Sequence, residues 1–340
     1  MWFGTRDGLN RYDGYKFVVY KKDLKNPASI GNSMVNDIAE DRSGNIWVGT
    51  SAGLNMYDRA SDSFVSYNLD TAELVISDLL VDSQDRIWLT TTNSGLLNFN
   101  PKTKKFKVYV NNPKDAKSLS GNHTTKVCEY DKNTLWIATR HGLDQLDLRT
   151  NTFTQIHNDP KDPTSTTTIK IRDLYRDSKG NVWLSIARLG LARYSKESNS
   201  FVYYPAAKVN ETSDINILSV SEGPNGKLWL GTENKGLCIF DYRDNSSVSY
   251  MPDPFNPISI SHHTVRVVYR DRNGYMWTGT QAGGINLVAE SGNKFQHYTH
   301  IPGPKGLSNR FVTSITGDKQ GHIWVGTDGG GLNLMDRSTG

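Results

Sequence analysis

The sequence predicts an all-β protein, a β-propeller of four-stranded antiparallel blades. Three observations carry that expectation: a tryptophan-centred phrase that recurs eight times, four strand-like segments in each complete repeat, and almost no helical periodicity. Trp2, Trp47, Trp88, Trp136, Trp183, Trp229, Trp277 and Trp324 are all the tryptophans of the chain, and successive ones lie 41 to 48 residues apart. Each opens the same phrase: Trp, an apolar residue, a small residue, usually Thr, then a short loop and Gly followed by an apolar side chain. A period in this range marks stacked units that cannot bury their apolar faces alone.

The first strand of each unit precedes the Trp: Met34–Ala39, Leu74–Leu80, Val127–Tyr130, Ile169–Tyr175, Ile215–Val220, Val265–Tyr269 and Phe311–Ile315. These runs are rich in β-branched and aromatic residues and bounded by turn residues. Turns beginning at Asp41, Asp177, Asp271 and Asp318 and ending in Gly follow four of them. Asp caps its own backbone and Gly takes positive φ freely. These aspartates could be drawn as a ring of carboxylates, but turn formation explains them.

The second strand is the Trp phrase itself. Alternation places each Trp and the small residue two positions on (Gly4, Gly49, Thr90, Ala138, Ser185, Gly231, Gly279 and Gly326) on one face. A bulky ring beside an enforced gap suits sheets packed face to face, with the Trp of one unit expected to cover the small site of its neighbour. The third strand follows the Gly: Leu9–Tyr12, Leu54–Tyr57, Leu96–Phe99, Leu143–Leu146, Leu191–Tyr194, Leu237–Phe240, Ile285–Val288 and Leu332–Met335. The fourth often reads Phe-x-x-Tyr, as in Phe17/Tyr20, Phe64/Tyr67, Phe106/Tyr109, Phe201/Tyr204 and Phe295/Tyr298.

Four antiparallel strands per unit of about 46 residues fit a propeller blade better than a β-helix or a sandwich. The first unit lacks its leading strand and the last its trailing one. Seven blades close if Phe311–Ile315 fills the vacancy beside Trp2; eight blades use every unit but leave two unpaired edges. The expectation is a single seven-bladed domain over residues 1–340, a piece of a longer protein.

The bulk composition excludes several classes. A net charge of +4 arises from 39 basic and 35 acidic residues, interspersed; no basic stripe suggests nucleic-acid binding. Cys128 and Cys238 fall at non-equivalent positions and are expected to be buried free thiols rather than a disulfide. No apolar run approaches the roughly 20 residues of a membrane span.

The phrases Trp2 to Gly14 and Ile323 to Leu332, with Gly306 to Val312 and Asp318 to Gly321 before the latter, closely resemble the two-component regulator propeller repeat. The resemblance covers the whole chain. It implies the first sensory propeller of a hybrid two-component system of the kind found in polysaccharide-degrading gut bacteria. In that family two propellers and an immunoglobulin-like domain lie in the periplasm, outside the inner membrane, and a histidine kinase, a phosphorelay receiver and a DNA-binding domain follow. The implied ligand is an oligosaccharide. The implied partners are the neighbouring propeller, the immunoglobulin-like domain and a second copy in a homodimeric receptor. The chain shows no phosphoacceptor histidine region, ATP-site glycine motif or receiver aspartate cluster, and no ligand contact carries over by motif.

No catalytic residue, cofactor site or metal site is expected. The eight histidines lack zinc spacing, Asp328 to Gly331 lacks the helix a phosphate cradle needs, and no nucleophile elbow is present. Propellers usually meet ligands through their second-to-third and fourth-to-first loops. The former vary while the strands stay fixed, which is how a scaffold carries a site. Arg6, Arg140, His141, Arg188, Glu233, Asn234, Gln281 and Asp328 are the candidates for a ligand or partner surface. Three functions follow in order: an oligosaccharide-sensing propeller, a non-catalytic platform for neighbouring domains, and a propeller lyase or hydrolase.

Overall fold

The computed structural model describes residues 1–69, 74–156, 170–195, 200–205, 209, 215–256, 258–288, 306–309, 311–318 and 322–335. These residues form eight antiparallel sheets, each built from sequence-consecutive strands. Sheet 1 holds β1 (Trp2–Thr5), β2 (Gly8–Tyr12) and β3 (Phe17–Tyr20). Sheet 2 holds β4 (Val35–Glu40), β5 (Ile46–Thr50), β6 (Gly53–Asp58) and β7 (Ser63–Tyr67). Sheet 3 holds β8 (Ile76–Val81), β9 (Ile87–Thr91), β10 (Leu96–Asn100) and β11 (Lys105–Tyr109). Sheet 4 holds β12 (Thr124–Asp131), β13 (Thr134–Thr139), β14 (Gly142–Asp147) and β15 (Thr152–Ile156). Sheet 5 holds β16 (Ile171–Arg176), β17 (Val182–Ile186), β18 (Gly190–Ser195) and β19 (Ser200–Pro205). Sheet 6 holds β20 (Ile217–Glu222), β21 (Leu228–Thr232), β22 (Leu237–Asp241) and β23 (Ser246–Tyr250). Sheet 7 holds β24 (Val265–Arg270), β25 (Met276–Thr280) and β26 (Ile285–Val288), and sheet 8 holds β27 (Val312–Gly317), β28 (Ile323–Thr327) and β29 (Gly331–Met335).

The all-β propeller expectation therefore holds, and the Trp phrase is the second strand of every full sheet. The Phe-x-x-Tyr pattern falls on β3, β7, β11 and β19 but not on β15 or β23. The expected pair Phe295/Tyr298 and residue Ile169 lie outside the described residues.

Packing follows from period-two alternation. In sheets 2, 3, 5 and 6 every residue of the second strand is buried, so one face meets the preceding sheet and the other the following one. Four of the indoles point onward, onto an aromatic ring at or just past the end of the next sheet's third strand. Trp2 meets Tyr57 at 4.8 Å between centroids, Trp47 meets Phe99 at 5.6 Å, Trp136 meets Tyr194 at 4.7 Å and Trp183 meets Tyr242 at 4.9 Å. Aromatic pairs at such spacings add about 0.5–1.5 kcal/mol beyond their burial.

The small site beside each Trp does not receive a neighbour's indole, as expected above. At Gly4, Gly49 and Gly231 it receives a β-branched side chain from the next sheet's first strand. A Cβ added at Gly4 would stand 2.6 Å from Val35 Cγ1, and one at Gly49 2.7 Å from Ile76 Cγ2. The reason is directional. In a head-to-tail stack Trp and its small partner share one face, so no neighbour's indole ever turns back towards the gap.

The turn aspartates have a second role. Asp41 Oδ1 accepts from the amides of Ser43 and Asn45, and its Oδ2 accepts from the Trp47 indole at 2.9 Å. The same six-residue reach joins Trp88 to Asp82, Trp183 to Asp177, Trp277 to Asp271 and Trp324 to Asp318. Two sheets break the rule. Position 223 is Gly, where a Cβ would stand 2.2 Å from the Trp229 ring, and position 130 is Tyr, leaving the buried Trp136 Nε1 without a hydrogen-bond acceptor among the described residues. The Trp324 indole is the largest influence holding the Asp318 carboxyl down to about 2, against a smaller opposing effect of burial. A carboxylate held below its ordinary value of about 4 stabilises the fold above that value. That contribution is lost as pH falls through the folded value.

Successive first strands touch: β4 meets β8, β8 meets β12, β12 meets β16, β16 meets β20 and β20 meets β24. Six buried clusters fill the spaces between sheets 1 and 7. Sheet 7 then returns to the start. Phe3 and Trp277 lie 5.6 Å apart, and Arg272 donates to Glu40 at 2.9 Å.

The expected closure through Phe311–Ile315 does not occur. β27 pairs with β28 in sheet 8, and among the described residues no strand pairs with the leading edge of β1. A first strand has one outer edge to offer, and here β28 takes it, tied to Asp318 through His322 and Trp324. Phe311, Ile315, Leu332 and Leu334 of sheet 8 remain more than half exposed. Cys128 and Cys238 are free and buried.

Candidate functional site

A repeated main-chain staple brings the variable loops together. In sheets 2 to 8 the second-to-third loop donates an amide to the residue just before that sheet's first strand. Ser51 donates to Met34, Thr92 to Val75, Arg140 to His123, Ala187 to Lys170, Glu233 to Asn216, Gln281 to Thr264 and Asp328 to Phe311. A second set crosses between sheets: Gly8 N to Ser33 O, Gly53 N to Leu74 O, Gly95 N to Asn122 O and Gly236 N to His263 O. Gly95 and Gly236 adopt φ of 76° and 68°, and a Cβ at either would strike a backbone carbonyl at about 2 Å, so only glycine suits them. The second-to-third loops and the fourth-to-first loops thus form one continuous rim.

On sheets 5, 6 and 7 the rim carries a polar arc. The Arg188 amide donates to Asn216 Oδ1 at 3.2 Å, and Asn216 Nδ2 donates to Glu233 Oε2 at 3.1 Å. The Asn234 amide donates to Thr264 Oγ1, which returns a bond to Asn234 Oδ1 at 3.0 Å. Arg266 Nη2 donates to Gln281 Oε1 at 3.1 Å. Arg188 and Asn234 both hold φ near +64° (65° and 63°). For an arginine this left-handed conformation is uncommon, and strain of this kind gathers at ligand sites. The guanidinium of Arg188 and the side chains of Asn234 and Gln281 are exposed, with Glu233 half-buried.

Of the eight candidates, the arc unites Arg188, Glu233, Asn234 and Gln281. The other four stand elsewhere on the rim. Arg6 is exposed on sheet 1, Arg140 and His141 lie on sheet 4 with the His141 ring against Gly121, and Asp328 lies on sheet 8. Sequence reasoning missed Asn216, Thr264 and Arg266. Asn216 and Thr264 sit just before their first strands and Arg266 is the second residue of β24; the position just before the first strand varies from repeat to repeat as Met34, Val75, His123, Lys170, Asn216, Thr264 and Phe311. That variation was the available signal.

The opposite end carries a cleft of about 390 Å³ between the ends of β16, β20 and β24. Its polar walls are already engaged: Glu222 accepts from Ser178 N and Oγ, Asp271 from Trp277, and Arg272 donates to Glu40. Among the described residues, no group of three or more His, Cys, Asp or Glu side chains is arranged to hold a metal ion, and no helix is long and apolar enough to cross a membrane.

Residues 29–52 and 306–329 match the profile of the family described as two component regulator propeller. Both segments hold an Asp turn and the Trp that bonds it. No curated protein sequence matches the chain. Among solved structures, it resembles the extracellular domain of a protein described as the hybrid two component system BT3049 of B. thetaiotaomicron. The two are 27% identical with a TM-score of 0.71, over 99% of this chain and 44% of that one. The extracellular domain of the one component system BT4673 of the same organism is 18% identical with a TM-score of 0.68, over 99% of this chain and 49% of that one. Virginiamycin B lyase of Staphylococcus aureus is 11% identical with a TM-score of 0.56, over 89% of this chain and 94% of the enzyme. The latter two likenesses are of fold alone. The chain spans less than half the length of the two extracellular domains it matches.

Proposed function

We propose, from the premise that this chain is built of two component regulator propeller repeats, that it is a periplasmic sensory propeller. It contributes to oligosaccharide detection and passes the signal to a histidine kinase outside residues 1–340. The observation that carries the ligand role is the polar arc of Arg188, Asn216, Glu233, Asn234, Thr264, Arg266 and Gln281, which spans three sheets with alternating donors and acceptors. Such groups hydrogen-bond sugar hydroxyls. Binding would act by favouring one of two arrangements of this propeller and its neighbours. The reading assigns no catalysis to the chain.

Calorimetry with a panel of neutral and acidic oligosaccharides, on the longest extracellular form of the protein, tests the proposal. Binding to at least one glycan is expected. Asn216→Ala should weaken it about 10-fold, the worth of one well-placed hydrogen bond of about 1.4 kcal/mol, while leaving thermal stability nearly unchanged. No binding across the panel, or binding indifferent to every arc residue, would overturn it.

A second reading has its own observation. Leu24, Phe255 and Ile258, on fourth-to-first loops of the same rim, are 93%, 61% and 70% exposed. Apolar tips rimmed by polar residues suit contact with another domain. In that case the rim docks a neighbouring propeller or immunoglobulin-like domain, or a second copy in a dimer. Titration of the flanking extracellular domains against this propeller, loosened by Phe255→Ser, distinguishes the two.

A further inference from the structure

The first strands carry an ionic cluster that the proposed function does not use. At one repeat position stand Asp37 on β4, Asp78 on β8, Lys126 on β12 and Asp173 on β16. The same position is Ser219 on β20 and Val267 on β24. In each of these sheets the strand pairing slips just before it, between Val35 and Asp37, Ile76 and Asp78, Thr124 and Lys126, and Ile171 and Asp173. Such bulges re-aim a side chain. Here they turn it towards the next sheet. Asp37 Oδ2 accepts from the Leu79 amide at 2.8 Å, Asp78 Oδ2 from Val127 at 3.0 Å, and Asp173 Oδ2 from Val220 at 2.7 Å.

Sheet 4 breaks the series by placing a cation there. Lys126 Nζ lies 2.6 Å from Asp78 Oδ1 and 3.7 Å from Asp173 Oδ1. It keeps 32% of its side-chain surface open, whereas the side chains of Asp78 and Asp173 keep 9% and 11%. One ammonium thus faces three carboxylates on four successive sheets. The charged and titratable groups facing Asp37 are Asp78 and Lys126. Those facing Asp173 are Lys126, Asp78 and the Cys128 thiol, beyond which lie Arg176 and Glu129. Three negative charges, those of Asp78 and Asp173 buried and that of Asp37 half-buried, cannot be balanced by a single positive one.

We propose that this cluster is a proton-linked lock on the packing of the first strands. In mildly acidic solution Asp37 and Asp173 hold protons. As pH rises those protons pass to solvent, and the uncompensated negative charge loosens sheets 2, 3 and 5 against one another. The inference stands apart from the sensory reading and survives its failure.

The ionisation balance supports the geometry. Burial, and then the Asp78 charge, push the Asp37 carboxyl up to about 7. Burial raises Asp173 to about 6 against the opposing pull of Lys126. Burial works against the Lys126 ammonium, but Asp78, Asp173 and Asp37 outweigh it and hold its pKa above the ordinary value. The sign follows from proton counting. Between the unfolded carboxylate value near 4 and the folded values near 6 and 7, the folded state binds more protons than the unfolded one. Stability therefore falls as pH rises through that window.

The test is a carboxyl ¹³C titration of aspartate-labelled protein, with Asp37→Asn to assign the resonance. An aspartate signal titrating above pH 6, and absent in Asp37→Asn, is expected. Lys126→Met should move the remaining midpoints higher still. The melting temperature of the wild type should fall by about 2–5 °C relative to Asp37→Asn between pH 5 and 8. If Asp37→Asn fails to fold, the wild-type titration alone decides: any aspartate midpoint above about 5.5 supports the lock. Midpoints all below that value, or parallel melting profiles for wild type and Asp37→Asn, overturn it.

Discussion

Trp183→Ala is expected to lower the unfolding free energy by about 3–5 kcal/mol, the cost of emptying a large aromatic site in a packed core. Trp183 is fully buried. It fills the space between sheets 5 and 6 with Leu191, Ile217, Leu228 and Phe240. Its indole also donates to Asp177 Oδ2 at 2.9 Å. The substitution thus removes the ring and strips Asp177 of a donor. Urea unfolding followed by circular dichroism measures the effect. An indole exposed for stacking on a ligand would cost little, so a change below about 1 kcal/mol would contradict the packing described here.

Gly231→Val is expected to cost nearly as much for the opposite reason. A Cβ at Gly231 would stand 2.8 Å from the Val265 carbonyl oxygen and 3.1 Å from Val265 Cγ1. The nearer atom is backbone and cannot rotate aside. Overpacking of a filled core costs about 1–3 kcal/mol, and more where the backbone must move. The upper end, about 3 kcal/mol, is expected. Ala138→Gly, at the same repeat position in sheet 4, should cost far less, because it opens a space of one methyl. Equal effects of the two substitutions would show that the small site is not a contact.

The fold was legible because its main determinant is periodic. Alternation around Trp47 or Trp229 assigns strand and face without tertiary knowledge, and the Gly after each short loop marks the next strand. What alternation does not carry is which way a face points. The small sites were expected to take an indole. They take Val35, Ile76 or Val265 instead, because the direction of a stack exists only once neighbouring sheets are in place. The pairing of β27 was misjudged for a related reason. The choice between a local hairpin to β28 and closure beside Trp2 depends on how Asp318 ties its own Trp324, a six-residue link that sequence reading took for turn chemistry alone.

The rim was half legible. Variation in the second-to-third loops picked out Arg188, Glu233, Asn234 and Gln281, which the structure joins. Asn216, Thr264 and Arg266 lie at strand starts, where the turn-rich composition of the preceding loops hid them. The ionic cluster of the first strands escaped altogether. Asp37, Asp78, Lys126 and Asp173 are 41, 48 and 47 residues apart, and each looks like a strand's polar outward position until the sheets are curled together.

A double-mutant cycle between Trp183 and Tyr242, whose rings lie 4.9 Å apart on sheets 5 and 6, tests most directly whether each indole packs onward onto the following sheet. The expected coupling is about 1 kcal/mol, favourable, in unfolding free energies of the two phenylalanine- or leucine-substituted single variants and the double variant. Additive effects, with a coupling of zero, would mean that these rings do not hold the sheets together.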